Sequence, residues 1–144
     1  MKLAQGEYVA LEKIESAYSG SPMVSQIYVH GESLQDHLIA VVVPDAVRLA
    51  GLASEHTGKR VRPEDGVALQ AATRDERVHK AIMAELTRQA KKANLRGFES
   101  VKKIHLSLEP FTAENNTLTP TLKIKRLWSC FPFFYSVLTW PFHM

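Results

Sequence analysis

The sequence predicts an α+β fold, a small sandwich in which helices flank a mainly antiparallel sheet. Three observations support this fold class. Residues 37–43, HLIAVVV, form a continuous apolar run of strand length, and residues 73–97 repeat apolar side chains at helical spacing. The segments follow one another in the order β-α-β-β-α-α-β along 144 residues, a length that suits one compact domain.

The chain enters the fold through an extended segment at residues 8–10, followed by a short helix. Leu11, Ile14 and Tyr18 recur at helical spacing, with charged residues between them. Gly20 and Pro22 are expected to end this helix, because neither residue favours its continuation. A first element this close to the start predicts that the amino terminus of the domain is truncated.

Two adjacent strands are predicted next. Residues 24–30 are rich in β-branched and aromatic side chains, and a polar turn at residues 31–36 connects them to the apolar run at 37–43. That uninterrupted run is typical of a strand buried on both faces of a sheet.

A helix and a long loop are expected after the second strand. Pro44 breaks the strand, and residues 46–53 have the composition of a helix. Residues 54–66 are polar and contain two glycines and a proline, so they are predicted to form a loop.

The longest predicted helix covers residues 73–97. Thr73 and Glu76 have the spacing of a capping box at its start. Lys91 and Lys92 lie near its carboxyl end, where positive charge is favoured. The predicted core-facing stripe consists of Val78, Ile82, Leu86 and Ala90.

The last predicted strand, residues 101–108, alternates apolar and polar positions. Ile104, Leu106 and Leu108 share one face of it. Residues 109–117 are predicted to form a turn.

The composition argues against several classes of function. The net charge is only +3, and the basic residues are scattered, so no nucleic-acid binding is predicted. The single cysteine, Cys130, rules out a disulfide within the chain and fits a reducing compartment. The six histidines show no metal-ligand spacing, and no metal site is predicted. No apolar segment follows Lys2, so the start does not resemble a secretory signal.

Two segments could carry chemistry, and the first is KLAQGEYVALEKIE at residues 2–15. Gly6 precedes the extended segment, where glycine permits a positive φ or the close approach of another backbone. Glu7 is expected at an exposed turn. A tight turn that only leads into the strand explains the same residues.

The second segment is LTPTLKIKR at residues 118–126. Pro120 fixes its own φ and restricts Thr119, so a stiff turn with two threonine hydroxyls precedes Lys123. A lysine in this position can neutralise charge that moves between an acyl carboxylate and an α-phosphate. A solvated basic segment ending at Arg126 is the alternative interpretation.

Together, the two segments resemble motifs of the acyl-adenylate-forming superfamily. The first resembles the motif that follows the interdomain hinge, and the second resembles the motif that carries the adenylation lysine. Their amino-acid sequences are similar to those of the corresponding motifs in the long-chain acyl-CoA synthetases. The resemblance covers residues 2–126, including the intervening VHG, HLIAVVVPD and VKKIHLSLEPFT segments.

This resemblance implies a role for each candidate residue. Residues 1–126 would form the C-terminal lid domain. Lys123 would contact the fatty-acid carboxylate and the phosphate during adenylation. Gly6 and Glu7 would belong to the loop that turns toward the active site for thioester formation, while Thr121 and Arg126 would support the site.

The resemblance also implies cofactors, partners and a location. The complete enzyme would use ATP with Mg and CoA to convert a fatty acid to acyl-CoA, AMP and pyrophosphate. The chain lacks the large N-terminal adenylation domain, so we expect it to be inactive alone and to bind none of these ligands tightly. The location implied is the cytosolic side of membranes (endoplasmic reticulum, peroxisome or lipid droplet) or the cytoplasm. The alternative function is a non-catalytic interaction or regulatory module that retains the lid fold.

Two features depart from the family pattern. Leu122 precedes the lysine where many members have glycine. Residues 127–144 hold four of the six Phe, both Trp and no Lys, Arg, Asp or Glu. This tail is interpreted as a non-homologous terminus, with a membrane anchor or a packed extension as alternatives. At 18 residues interrupted by two prolines, it is short for a spanning helix.

Overall fold

A computed structural model describes residues 2, 3, 6–31, 37–112, 114 and 118–121. The chain divides into two compact units, Met1–Leu108 and Glu109–Met144. The helices and strands of the described residues belong to the first unit. They are α1 (Leu11–Tyr18), β1 (Val24–His30), β2 (Leu38–Pro44), α2 (Ala46–Thr57), α3 (Gly66–Thr73), α4 (Glu76–Lys92), a 3-10 turn (Gly97–Glu99) and β3 (Val101–Leu106).

The three strands form one sheet in the order β1-β2-β3. β1 pairs with β2 antiparallel, with Tyr28 opposite Val41, and β2 pairs with β3 parallel, with Val41 beside His105. The predicted α+β class is confirmed, and the described sheet is mixed, with one pair of each sense. β2 is the central strand, and six of its seven residues are buried, as its uninterrupted apolar run predicts.

Helix α4 supplies a large part of the core of the first unit. The predicted stripe is confirmed, because all four side chains are at most 3% exposed. The helix contacts α1, α2, α3 and β3, so one apolar face meets four elements. The members of the stripe are Val78, Ile82, Leu86 and Ala90.

The start of α4 differs from the prediction. The predicted capping box of Thr73 and Glu76 is wrong: Thr73 is the last residue of α3, and its Oγ1 donates to the carbonyl oxygen of Gln70 at 2.7 Å. Asp75 is the actual N-cap, and its carboxylate accepts from the backbone N–H of Arg77 at 2.9 Å. An aspartate satisfies the unpaired donors of a first turn as well as threonine does.

Helices also occupy part of the predicted loop at residues 54–66. α2 continues to Thr57, and in its last turns the hydroxyls of Ser54 and Thr57 donate to the carbonyl oxygens four residues earlier, at 2.8 and 2.6 Å. Gly58, with φ of +72°, ends it. α3 begins at Gly66 after Asp65, whose carboxylate accepts from the N–H of Ala68 at 3.1 Å.

Side chains from the helices bond to the backbone of β1 and β3, the two edges of the described sheet. The Glu15 carboxylate accepts from the N–H of Val29 at 2.8 Å. The Tyr18 hydroxyl accepts from the N–H of Val101 at 2.9 Å, and the His79 ring Nε2 lies 3.0 Å from the carbonyl oxygen of Ile104. Both edges are therefore held by polar contacts from α1 and α4.

The stability of the fold should decrease below neutral pH because of two half-buried histidines. Burial lowers the pKa of His79, against smaller opposing effects of the Ile104 carbonyl and Glu76. Burial, followed by the charge of His79, lowers the pKa of His105. The folded state therefore favours neutral rings, and the unfolded chain takes up protons first as the pH falls through about 6.5.

We expect the free energy of unfolding in urea to be constant above about pH 7.5 and to fall toward pH 5. A variant carrying His79→Gln and His105→Gln should show a flatter profile, because glutamine does not titrate and the amide at position 79 still offers a donor to Ile104. An unchanged slope in this variant would mean that other groups cause the pH dependence.

Candidate functional site

The first candidate segment folds back on itself in a tight turn. The N–H of Leu3 donates to the carbonyl oxygen of Glu7 at 2.8 Å, and the N–H of Gly6 donates to that of Leu3 at 2.9 Å. Beyond these bonds, Lys2 and Tyr8 form an isolated antiparallel bridge. Residues 8–10 were predicted to form a short strand or an extended segment; of the three, only Tyr8 takes part in a bridge, and no strand forms there.

Gly6 has the conformation for which glycine is suited. Its φ is +92°, and no atom lies within 4 Å of the position that a Cβ would take. The backbone angle rather than crowding therefore favours glycine here. Gly6 and Glu7 are exposed, so both candidate residues of this segment lie on the surface of the first unit.

The turn also presents a pair of residues that sequence reasoning did not identify as part of the site. Tyr8 is 73% exposed, and the Lys2 Nζ lies 5.6 Å from the centre of its ring. The cation and the aromatic ring thus attract each other across the turn. The sequence shows only that the two residues lie on either side of Gly6, which does not by itself predict their contact.

Replacing Gly6 with alanine should open this turn, because alanine at this φ costs about 1–2 kcal/mol. We expect the Leu3 amide, which bonds to Glu7, to exchange its hydrogen roughly 5–30 times faster. The matched control is Gly51→Ala, at an exposed position in α2 where nothing lies within 4 Å of the added Cβ.

The Gly51→Ala control should leave exchange at Leu3 unchanged and raise the free energy of unfolding by about 0.5–1 kcal/mol. Equal exchange at Leu3 in both variants and the parent chain would show that the positive φ is not required.

The second candidate segment begins in the other unit. The N–H of Leu118 donates to the carbonyl oxygen of Thr112 at 3.0 Å. The hydroxyls of Thr119 and Thr121 lie 3.1 Å apart, and Pro120 and Thr121 are exposed in a turn. The structure thus shows two adjacent hydroxyls on the surface, as the stiff sequence around Pro120 suggests.

The candidate residues are distributed over the two units. Gly6 and Glu7 lie in one turn of the first unit, and Thr121 lies in the second. Lys123 and Arg126 lie outside the described residues, as does the aromatic tail at residues 127–144.

Two kinds of site are not observed in the part of the chain that the structure describes. Within it, no group of three or more His, Cys, Asp or Glu side chains is placed to hold a metal ion. Among the described helices, none has the length and apolar character needed to cross a membrane.

Comparison with known proteins identifies relatives of the chain, although no protein-family model matches it. It is 48% identical over 125 residues to long-chain-fatty-acid–CoA ligase 1 of Cavia porcellus, covering 87% of this chain and 17% of the relative. It is 45% identical over 126 residues to long-chain-fatty-acid–CoA ligase 5 of Rattus norvegicus, covering 88% and 17%. A peroxisomal acyl-CoA ligase 891 of Penicillium roqueforti is 43% identical over 129 residues, covering 88% and 18%.

Solved structures agree with this relationship. The A domain of carboxylic acid reductase from Segniliparus rugosus, in complex with AMP and a co-purified carboxylic acid, matches with a TM-score of 0.74 and 30% identity, covering 99% of this chain and 20% of that one. The adenylation domain of the carboxylate reductase from Mycobacterium chelonae matches with a TM-score of 0.72 and 32% identity, covering 100% and 19%.

The chain spans only about one-sixth of the length of the curated relatives that it matches. These relatives are all named as ligases that form acyl-CoA, and the structural matches are adenylation domains. The chain belongs to the family of long-chain fatty acid–CoA ligases, as their C-terminal part.

Proposed function

We propose that this chain is the lid domain of an AMP-forming long-chain fatty acid–CoA ligase and acts together with a large adenylation domain. The observation that supports this most directly is the exposed turn around Gly6. A loop that completes an active site on another domain must present its backbone at the surface, and Gly6 and Glu7 do so. The relationship to long-chain ligases supports the reaction that we propose for the joined domains.

In the first half-reaction, a carboxylate oxygen of the fatty acid attacks the α-phosphorus of ATP. A new P–O bond forms, the bond to the β-phosphate breaks, and pyrophosphate leaves. The Lys123 ammonium would neutralise the negative charge shared by the carboxylate and the α-phosphate. The Thr121 hydroxyl is exposed at the entrance to this segment, where it and Arg126 would support the same charge.

In the second half-reaction, the CoA thiolate attacks the acyl carbonyl carbon and AMP leaves. The Gly6–Glu7 turn would act here, because a glycine without a side chain lets a narrow group such as the thiol arm of CoA pass close to the backbone. The two candidate segments would thus serve one half-reaction each, and a movement of the lid would exchange them.

ATP, Mg and CoA would be held mainly by the adenylation domain. The described residues offer no carboxylate cluster for Mg. The positive charge of Lys123 and Arg126 suits phosphate and carboxylate groups. One lysine and one turn cannot provide tight binding alone, so we propose that the isolated chain has no turnover. The proposed location is the cytosolic side of membranes of the endoplasmic reticulum, peroxisome or lipid droplet, or the cytoplasm, and the relatives include peroxisomal enzymes.

The decisive experiment joins this chain, from Lys2 onward, behind the large domain of a long-chain ligase that lacks its own lid. Pyrophosphate release with palmitate and ATP measures the first half-reaction, and acyl-CoA formation measures both. The large domain alone and the isolated chain are the controls, and neither should turn over. A fusion that is folded yet inactive would contradict the proposal and favour the non-catalytic interaction module.

A further inference from the structure

A cavity of about 380 Å³ lies in the first unit between α2, α3 and the start of α4. No described residue of either candidate segment belongs to its lining. Much of the lining is aliphatic and has no polar side-chain atom: Ala53, Val61, Ala68, Ala71 and Ala72. Sites for small molecules are usually cavities of about 300–1,000 Å³ with such an apolar lining and a few polar groups. The size and the lining therefore suit a small ligand.

The cavity is preformed because its side chains are small and its walls are fixed. Ala68 and Ala72 lie one turn apart on α3 and so face the same way. The loop after α2 is held against that helix, since the N–H of Val61 donates to the hydroxyl of Ser54 at 2.8 Å. An alanine side chain ends at Cβ, so α2 and α3 leave a space between them that longer side chains would fill.

The same loop places positive charge at the cavity. Lys59 lines it, and Arg60 and Arg62 follow in the loop; all three side chains belong to exposed residues. None of the three forms an ion pair with another residue that the structure describes. Their charges therefore remain available to a negatively charged group.

The carboxylate among the described lining residues does not cancel this charge. Asp75 accepts hydrogen bonds from Nε and Nη2 of Arg77 at 3.3 and 3.0 Å, and from the backbone N–H of Arg77 at 2.9 Å. A guanidinium bonded to a carboxylate through two nitrogens offsets its charge. The lining group left to bind an anion is therefore the Lys59 ammonium.

The lining favours a ligand with two parts. Aliphatic side chains favour an apolar chain, because their contact removes hydrocarbon surface from water. The Lys59 ammonium favours a negative group at the end of that chain. We propose that the cavity binds a single-chain anionic amphiphile, with its chain between α2 and α3 and its head group at Lys59. At the roughly 30 Å³ that a water-sized group occupies in a liquid, the cavity holds about twelve such groups.

The first test uses decanoate with the full chain, below the concentration at which decanoate forms micelles, and follows backbone amide shifts by NMR. We expect saturable shifts at Val61, Ala68 and Ala72 with a dissociation constant on the order of 1 mM or lower, and no shifts at Gly6. Butyrate has the same head group and a shorter chain, and decyltrimethylammonium has the same chain and a cationic head group. Each should bind at least about tenfold more weakly. Equal binding of either compound, or no binding of decanoate, overturns the inference.

Two pairs of variants test the head-group contact and the chain contact separately. Lys59→Glu should weaken decanoate binding by about tenfold or more, whereas Lys92→Glu, with the same change in net charge at the end of α4, should weaken it by less than about twofold. Ala71→Trp, at an exposed lining position, should block the chain. Gln70→Trp, at the next exposed position of α3, should bind as the parent does. Thermal unfolding checks that each variant is folded, and equal binding within either pair overturns the inference.

Vesicles distinguish a free amphiphile from the surface of an anionic membrane. Sedimentation with vesicles of equal parts phosphatidylcholine and phosphatidylserine measures membrane binding of the full chain. We expect the parent chain and Ala71→Trp to sediment to the same extent, because a chain inside the cavity must come from solution. A loss of vesicle binding in Ala71→Trp would assign the cavity to membrane lipid and overturn the inference. The site does not depend on the proposed lid function, which the fusion with the adenylation domain tests separately.

Discussion

Replacing Lys123 with alanine in the fusion is expected to lower acyl-adenylate formation by about 10²–10³-fold. The ammonium group is proposed to provide most of the stabilisation of the charge that develops as the carboxylate attacks the α-phosphate, with Thr121 and Arg126 in supporting roles. Thioester formation from preformed acyl-adenylate should remain within about twofold, because that step is assigned to the Gly6–Glu7 turn. A loss confined to one half-reaction distinguishes a role in chemistry from a general loss of folding.

The matched control for this prediction is Lys125→Ala. It removes the same charge two residues away in the same segment. We expect it to change pyrophosphate release by less than about threefold, since a charge that does not contact the reacting groups acts only through the general electrostatic potential. Equal losses in the two variants would assign the effect to the net charge of the segment rather than to Lys123. Equal losses in both half-reactions would contradict the proposal that Lys123 acts only in adenylation.

The largest expected change in stability comes from Ile82→Ala. Ile82 is fully buried on the apolar face of α4, which contacts three other helices and β3. Truncation to alanine removes buried methyl and methylene groups and leaves a cavity, at a cost of about 2–5 kcal/mol. For a unit of this size, the midpoint of thermal unfolding should fall by roughly 10 °C or more.

Arg88→Ala on the exposed side of the same helix is the control for Ile82→Ala. Its side chain is 74% exposed and its guanidinium pairs with Glu85 at 2.7 Å, a surface ion pair that contributes about 0.2–1 kcal/mol. We expect its unfolding midpoint to shift by only a few degrees. Similar shifts for the two variants would mean that the buried side chains of α4 contribute little to the stability of the first unit.

Elements with strong periodicity could be predicted from the sequence. The α4 stripe is buried as expected, because its pattern repeats over several turns, and β1 has the bounds predicted from its β-branched and aromatic side chains. α3 was missed because hydrophobicity does not reveal its buried face: Val67 is 84% exposed, while Leu69 and Ala72 are buried. The preceding glycine and proline signals also favoured a loop. Tertiary packing, rather than local preference, decides such a short helix.

Other features depend on contacts between distant residues. The parallel sense of β3 follows from the path of the chain between strands, which no local pattern encodes. At the candidate site, the positive φ of Gly6 agrees with what glycine permits. The contact between Lys2 and Tyr8 could not be read in advance, because it depends on the register of the bonds that close the turn.

The parallel pairing of β2 with β3 has a consequence for how the first unit folds. β1 and β2 are neighbours in sequence, so their pairing requires closure of only a short segment. β3 reaches β2 only after residues 45–100, which contain α2, α3 and α4. The entropy of closing this long connection must be overcome before β3 contributes its contacts. During synthesis, the hydrogen-bonding edge of β2 that later pairs with β3 therefore remains unpaired until α4 and β3 have both been made. Until then, the aliphatic run of β2 is the segment in greatest need of a chaperone.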